Sequence, residues 1–282
     1  MTILTAPTTS HTPLATNVWA VSNIAWSAEE DEAAYDLLVQ LSISHVEVAP
    51  GRIWPAPSAP ESGTPPPGLV ARGLGIIGFQ AILFGKPDLL LFDPQSRPNL
   101  AAELRALAGT CARSGGRYLV FGAPKNRFVP ASLSAEEAFD TSVEFFGELG
   151  RHCESLGVLV GIEANPAAYG CNFCTQSADV ARLVNAVKSP AVRWHLDTGA
   201  LAMNEESVPD MILQNAGIIG SVHISEPQLG DFSTPWSGHN VVAGALREAG
   251  YSGSISLEMK RPSDGLSGVR RALDFVLATY QP

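Results

Sequence analysis

Four short stretches of this sequence end an apolar run on a side chain able to hold a metal ion or move a proton: Glu163 in "GIEAN", Asp197 in "HLDTG", His223 in "VHISE" and Glu258 in "SLEMK". Taken singly, each is the kind of residue that caps a helix or completes an ion pair. In succession they repeat one arrangement, a run of strand character closed by one ligand-competent group. If the four strands lie side by side, three carboxylates and an imidazole converge at their ends. Carboxylates gathered without a cation repel one another, and a bound divalent ion removes the conflict. A mainly oxygen set with one imidazole suits Mn2+ or Mg2+ better than a thiolate-loving metal, and Co2+ or Zn2+ would also bind; Mn2+ is taken as the expected ion.

Other polar residues sit where they would face the same place. Side chains two apart on a strand share a face, so His195 is expected to point with Asp197, Asn165 with Glu163 and Lys260 with Glu258. Glu47 in "VEVAP", Gln80 in "FQA" and Lys125 in "GAPKNR" stand at or just after earlier strand ends. Trp54 and Trp236, on loops, offer flat faces for stacking on the ring of a small molecule. All eight are expected to touch substrate; the plain alternatives are solvated loops, satisfied core polar groups and tryptophans that pack their own loops.

The elements that must position these residues follow from periodicity. Runs of strand type occur at 17–23, 44–49, 75–81, 118–123, 158–164, 192–197, 219–225 and 252–259. Between them apolar residues recur at helical spacing, as in Leu100, Leu104, Leu107 and Ala108, or Ala138, Val143, Phe146 and Leu149. Parallel strands need crossover helices, and eight such units predict a single-domain (β/α)8 TIM barrel over residues 17–282. An open doubly wound sheet is the alternative, but no GxGxxG follows the first strand. Residues 1–16 read as a flexible N-terminal arm. The stretch "PGRIWPAPSAPESGTPPPG" (50–68) breaks the rhythm; its prolines forbid a regular helix, and as it leaves a strand's C-terminal end it is expected to form a lid over the mouth.

With 282 residues, 45% hydrophobic and 16% charged, the chain has the balance of a soluble globular protein. A net charge of −10 without a basic cluster argues against a nucleic-acid partner. No apolar stretch is long enough for a membrane span, and no Lys or Arg precedes Arg52, so a cytoplasmic location is expected. Of four cysteines only Cys171 and Cys174 form a CxxC, too little for a disulfide framework or a structural zinc site.

Glu163, Asp197, His223 and Glu258 on the fifth to eighth strands resemble the metal quartet of the xylose-isomerase-like TIM barrels. These are the sugar phosphate isomerase/epimerase relatives of D-tagatose 3-epimerase, hydroxypyruvate isomerase and inosose dehydratase. The resemblance implies that the two glutamates, Glu163 and Glu258, also act as acid and base on either face of a substrate, through an enediolate. It implies a carbohydrate or cyclitol as the small-molecule substrate and, by analogy, a homo-oligomer. Two positions depart from the ketose 3-epimerase pattern: Ala200 stands where a substrate-touching His is usual, and no Arg follows shortly after His223. An inosose-dehydratase-like lyase and a non-catalytic metal-containing sugar-binding barrel remain alternatives. The nucleases that share this fold build a zinc cluster from many more histidines than the one in this quartet, and a chain with six histidines in all and a net charge of −10 does not suit that reading.

Overall fold

The alternation read from the sequence closes into a ring. In the computed structural model, which describes residues 17–281, eight parallel strands pair in chain order and the last pairs back onto the first. They are β1 (Val18–Ser22), β2 (His45–Val48), β3 (Gly75–Phe79), β4 (Tyr118–Phe121), β5 (Leu159–Glu163), β6 (Val192–Asp197), β7 (Ile219–Ile224) and β8 (Ser254–Leu257). Each lies within the run expected for it. The expected arm at 1–16 lies outside the described residues.

The helices are α1 (Asp31–Gln40), α2 (Pro50–Ile53), α3 (Pro67–Ala71), α4 (Arg97–Arg113), α5 (Ala135–Leu156), α6 (Ser177–Val187), α7 (Thr198–Met203), α8 (Val208–Asn215), α9 (His239–Glu248) and α10 (Leu266–Tyr280). The longest, α5, shows why such segments are helical. A capping box of Ser134 and Glu137 opens it, and Gly157 closes it at φ 68°, a left-handed angle that suits a residue without Cβ.

Strand alternation divides the barrel into two environments. Outward residues such as Phe79, Phe121, Ile162, Trp194, Val222 and Leu257 join Leu104, Leu107, Phe146, Leu183 and Val269 of the helices in one large apolar cluster. Inside, a small cluster of Ala20, Ile77, Tyr118 and Val120 fills part of the barrel. The remaining interior is polar: Ser22, Glu47, His195, Ser221, His223 and Ser256 are all buried. The usual filling is layers of branched apolar side chains, and this polar interior departs from it.

The proline-rich stretch corrects an expectation. Its first residues form the single turn α2, and the rest runs down the flank of the barrel instead of over the mouth. Thr110 Oγ1 donates to the Pro57 carbonyl (2.8 Å), and Arg113 Nε to that of Ser62 (2.9 Å). Both donors belong to the last turn of α4, which runs antiparallel to the strands and ends at the barrel's N-terminal side. The stretch therefore serves as the crossover from β2 to β3 that a long helix would otherwise provide.

Candidate metal centre

Register brings the second-half strand ends together. Glu163 pairs with His195 across β5 and β6, and a bulge at Trp194/His195 sets Asp197 opposite His223. Glu258 lies one residue beyond β8, where its N–H still donates to the Ile224 carbonyl of β7 (3.0 Å). Ligand atoms of Asp197, His223 and Glu258 consequently fall within 4.8 Å of one another, a group able to hold a metal ion.

Each member is held by its surroundings. Asp197 caps α7: its Oδ1 accepts the Ala200 N–H (2.6 Å), and its Oδ2 accepts the Ser225 hydroxyl (2.6 Å). The rest of "DTGA" serves the same joint. Thr198 Oγ1 donates to the Ser225 carbonyl (2.7 Å), and a Cβ on Gly199 would stand 2.8 Å from the Glu226 carbonyl oxygen. His223 is 1% exposed; its Nε2 lies 2.6 Å from Glu47 Oε2 and its Nδ1 3.2 Å from Glu258 Oε2. That Nδ1 is buried and has no hydrogen-bond partner. A ring nitrogen turned to a carboxylate without hydrogen-bonding it, with the opposite nitrogen engaged, fits the donor set of a divalent ion.

Glu163, the fourth expected ligand, stands outside this group of three and faces it. A Cβ on Gly122 would collide with its carboxylate, so glycine there makes room for it. Its backbone carbonyl accepts Arg127 Nη2 (2.7 Å). Arg127 is 1% exposed and also donates to Cys171 Sγ, so this guanidinium organises the loop after β5 and is not free to capture an anion.

The electrostatics record the crowding. Burial, then Asp197 and Glu258, raises the Glu163 pKa to about 8. Burial and Glu258 also raise that of Asp197, against the Ser225 and Ala200 hydrogen bonds. Burial opposes charge on His223, but Glu47 and Glu258 outweigh it and lift its pKa well above the ordinary histidine value. His195, buried and beside His223, is pushed the other way and stays neutral.

Several residues expected to touch substrate are placed elsewhere. Glu47 is fully buried behind His223, and Gln80 is turned to Ser22 Oγ (2.9 Å). His195 lies inside the barrel, its Nδ1 2.7 Å from Ser221 Oγ and its ring edge-on to His223 at 4.1 Å. Trp54 packs on Phe79 in the outer apolar layer at 5.5 Å between centroids and donates to the Thr64 carbonyl (3.1 Å). Lys125 and Lys260 are exposed. Asn165 remains beside Glu163, buried, with its Nδ2 unpartnered. Trp236 is half-buried, its backbone N–H held by both Glu226 carboxylate oxygens (3.0 and 3.1 Å).

Sequence reasoning passed over three contributors. Ser225 was within reach, being two residues past His223 on the same strand face. Glu226 also binds His239 Nε2 (2.9 Å), and Tyr169 Oη accepts the Gln228 N–H (3.1 Å), joining the loops after β5 and β7. Neither carries a local signal, because both act between loops that only the closed barrel brings together.

A closed barrel whose C-terminal mouth gathers an aspartate, a histidine and a glutamate defines a class: TIM barrels with a candidate divalent-cation centre. The sequence profile of the family described as xylose isomerase-like TIM barrel matches residues 69–279, and the chain belongs to that family. Among solved structures it is similar to D-psicose 3-epimerase from Clostridium cellulolyticum H10, crystallised with D-tagatose. That match has a TM-score of 0.75 and 15% identity over 94% of this chain and 99% of that one. D-Allulose 3-epimerase from Methylomonas sp. matches with TM-score 0.73 and 18% identity over 94% and 98% of the two chains. The 3-keto-D-glucoside 4-epimerase of E. coli matches with TM-score 0.71 and 15% identity over 93% and 100%. At these identities the likeness establishes the shared fold. Among the described residues, no helix is long and apolar enough to cross a membrane.

Proposed function

We propose that the chain is a divalent-metal-dependent isomerase or epimerase of a sugar, keto-sugar or cyclitol, working in the cytoplasm with Mn2+ as its ion. The observation that carries this reading is the convergence of ligand atoms of Asp197, His223 and Glu258 within 4.8 Å of one another, with His223 Nδ1 turned to Glu258. The names of the structural neighbours, which are epimerases of ketoses and of a keto-glucoside, support the substrate class.

Asp197, His223 and Glu258 would hold the ion, with Glu163 completing the set. When bound, it supplies positive charge beside the oxygens on which an enediolate carries its negative charge. The proton chemistry belongs to the two glutamates. With a cation beside it, Glu163 would be held ionised, and an ionised carboxylate of ordinary basicity suffices to take a proton from a carbon whose neighbouring carbonyl is polarised, and to return it. Glu258 would serve the opposite face. Asn165 Nδ2 offers an unused donor to a substrate hydroxyl, and Trp236 a surface at the rim.

The test is a panel of ketoses, keto-sugars and inososes assayed with protein stripped by a chelator and then reloaded. Turnover is expected to vanish on stripping and return with Mn2+. Full turnover in the stripped protein contradicts the proposal.

A further inference from the structure

Among the described residues, Glu47 is the carboxylate from the first half of the chain that reaches the candidate metal centre, across a separation of 176 residues. Its Oε2 lies 2.6 Å from Nε2 of His223, and the two side chains are 0% and 1% exposed. A neutral imidazole carries its proton on one nitrogen and offers a lone pair on the other, so whatever binds one nitrogen decides what the other can do. A carboxylate only accepts when ionised. When the ring is neutral, as a ligand to a metal ion must be, a carboxylate on Nε2 keeps the proton there and leaves the lone pair on Nδ1, the atom that faces Glu258.

The ring is fixed in orientation as well. His195 abuts it edge-on at 4.1 Å, and His195 is itself held at Nδ1 by Ser221. Glu47 has no route to a substrate, since it is wholly buried and its second oxygen, Oε1, has no partner. A carboxylate buried this way is unfavourable unless it faces positive charge or a strong donor. His223 Nε2–H is that donor.

We infer that Glu47 is a positioning residue for the metal centre: it sets the tautomer and orientation of His223 so that Nδ1 is presented to the ion. The inference rests on Asp197, His223 and Glu258 being metal ligands. A first-half strand thereby gains a role in a site otherwise built from the second half, and β2 is tied to β7 across the barrel.

The test uses the full chain and Mn2+ alone, with affinity read by titration calorimetry and folding by the thermal midpoint without metal. Glu47→Gln, which keeps size and removes charge, is expected to weaken Mn2+ binding about 10- to 100-fold. In a His223→Gln background the same change is expected to have no further effect on affinity, because there is no imidazole left to position. Should Glu47→Gln fail to fold, Glu47→Asp, which withdraws the carboxylate from Nε2, is expected to show the loss instead. Equal Mn2+ affinity in the wild type and the folded Glu47 variant overturns the inference, and so does an equal loss with and without His223, which would mark a merely structural role. A wild-type protein that binds no Mn2+ removes the metal reading itself, and the inference with it.

Discussion

Asp197 shows how one residue satisfies both a structural and a chemical requirement. It caps α7 through the Ala200 N–H and also belongs to the group of three that could hold a metal ion. The two roles separate under substitution. Asn caps about as well as Asp, so Asp197→Asn should leave the thermal midpoint near that of the wild type while Mn2+ affinity falls at least tenfold, the loss of a charged ligand. Asp197→Ala should lose affinity and, in addition, about 1 kcal/mol of stability measured by denaturant. Wild-type affinity in both would remove Asp197 from the ligand set. Gly122→Ala makes a different prediction: it displaces the Glu163 carboxylate and should lower kcat strongly, while Mn2+ affinity falls less than in Asp197→Ala, because the group of three stays in place. At this scale the ligand-type residues were legible because a strand end followed by a helix or loop advertises itself in one dimension. The partners of His195 and Glu47 were not. Strand alternation places a side chain inside the barrel but does not say which layer it occupies or what faces it from the other wall.

The segment between α2 and α3 carries the main correction among the elements. Its prolines were a sound reason to exclude a long helix, but they do not reveal whether a chain that is not helical lies over the mouth or down the flank. Side-chain contacts decided that: Thr110 and Arg113 hold the segment to the end of α4, and Trp54 lies on Phe79. Trp54→Ala is therefore expected to cost about 3 kcal/mol or more in urea unfolding, as for other buried aromatics, and to leave KM for any turned-over sugar unchanged. A raised KM at unchanged stability would restore the stacking role. The loops after β1 and β8 are joined by two parallel hydrogen bonds from Arg261 to Glu30 (2.7 and 3.0 Å). These bonds, with the Ser27 N–H that Glu30 Oε2 also accepts (2.9 Å), lower the Glu30 pKa from 4.5 to about 2. A carboxylate depressed on folding stabilises the fold above its unfolded pKa and loses that contribution as pH falls toward the folded value. The thermal-midpoint gap between the wild type and Glu30→Gln should thus be constant above pH 4.5 and narrow between 4.5 and about 2. The gap should be small, about 2 °C at most, because the pair is partly exposed. A gap that widens on acidification would contradict the assignment.

On the scale of the whole molecule, alternation of period-two and helical segments was enough to specify a closed parallel barrel, and closure is what gives the site its meaning. Four strand ends scattered over residues 163–258 are neighbours because β5 to β8 pair in chain order, and the closure of β8 onto β1 brings Glu47 of β2 to His223 from another wall of the barrel. The central claim is that this ring of acids moves protons beside a substrate carbonyl with an ion in place. Incorporation of deuterium from D2O into the C–H next to the carbonyl of a turned-over keto-sugar, followed by NMR with Mn2+ present, reports that step whatever the final product. The account predicts exchange in the wild type and a loss of about 100-fold or more in Glu163→Gln and in Glu258→Gln, with Mn2+ still bound to Glu163→Gln. Exchange at the wild-type rate in both variants would contradict it.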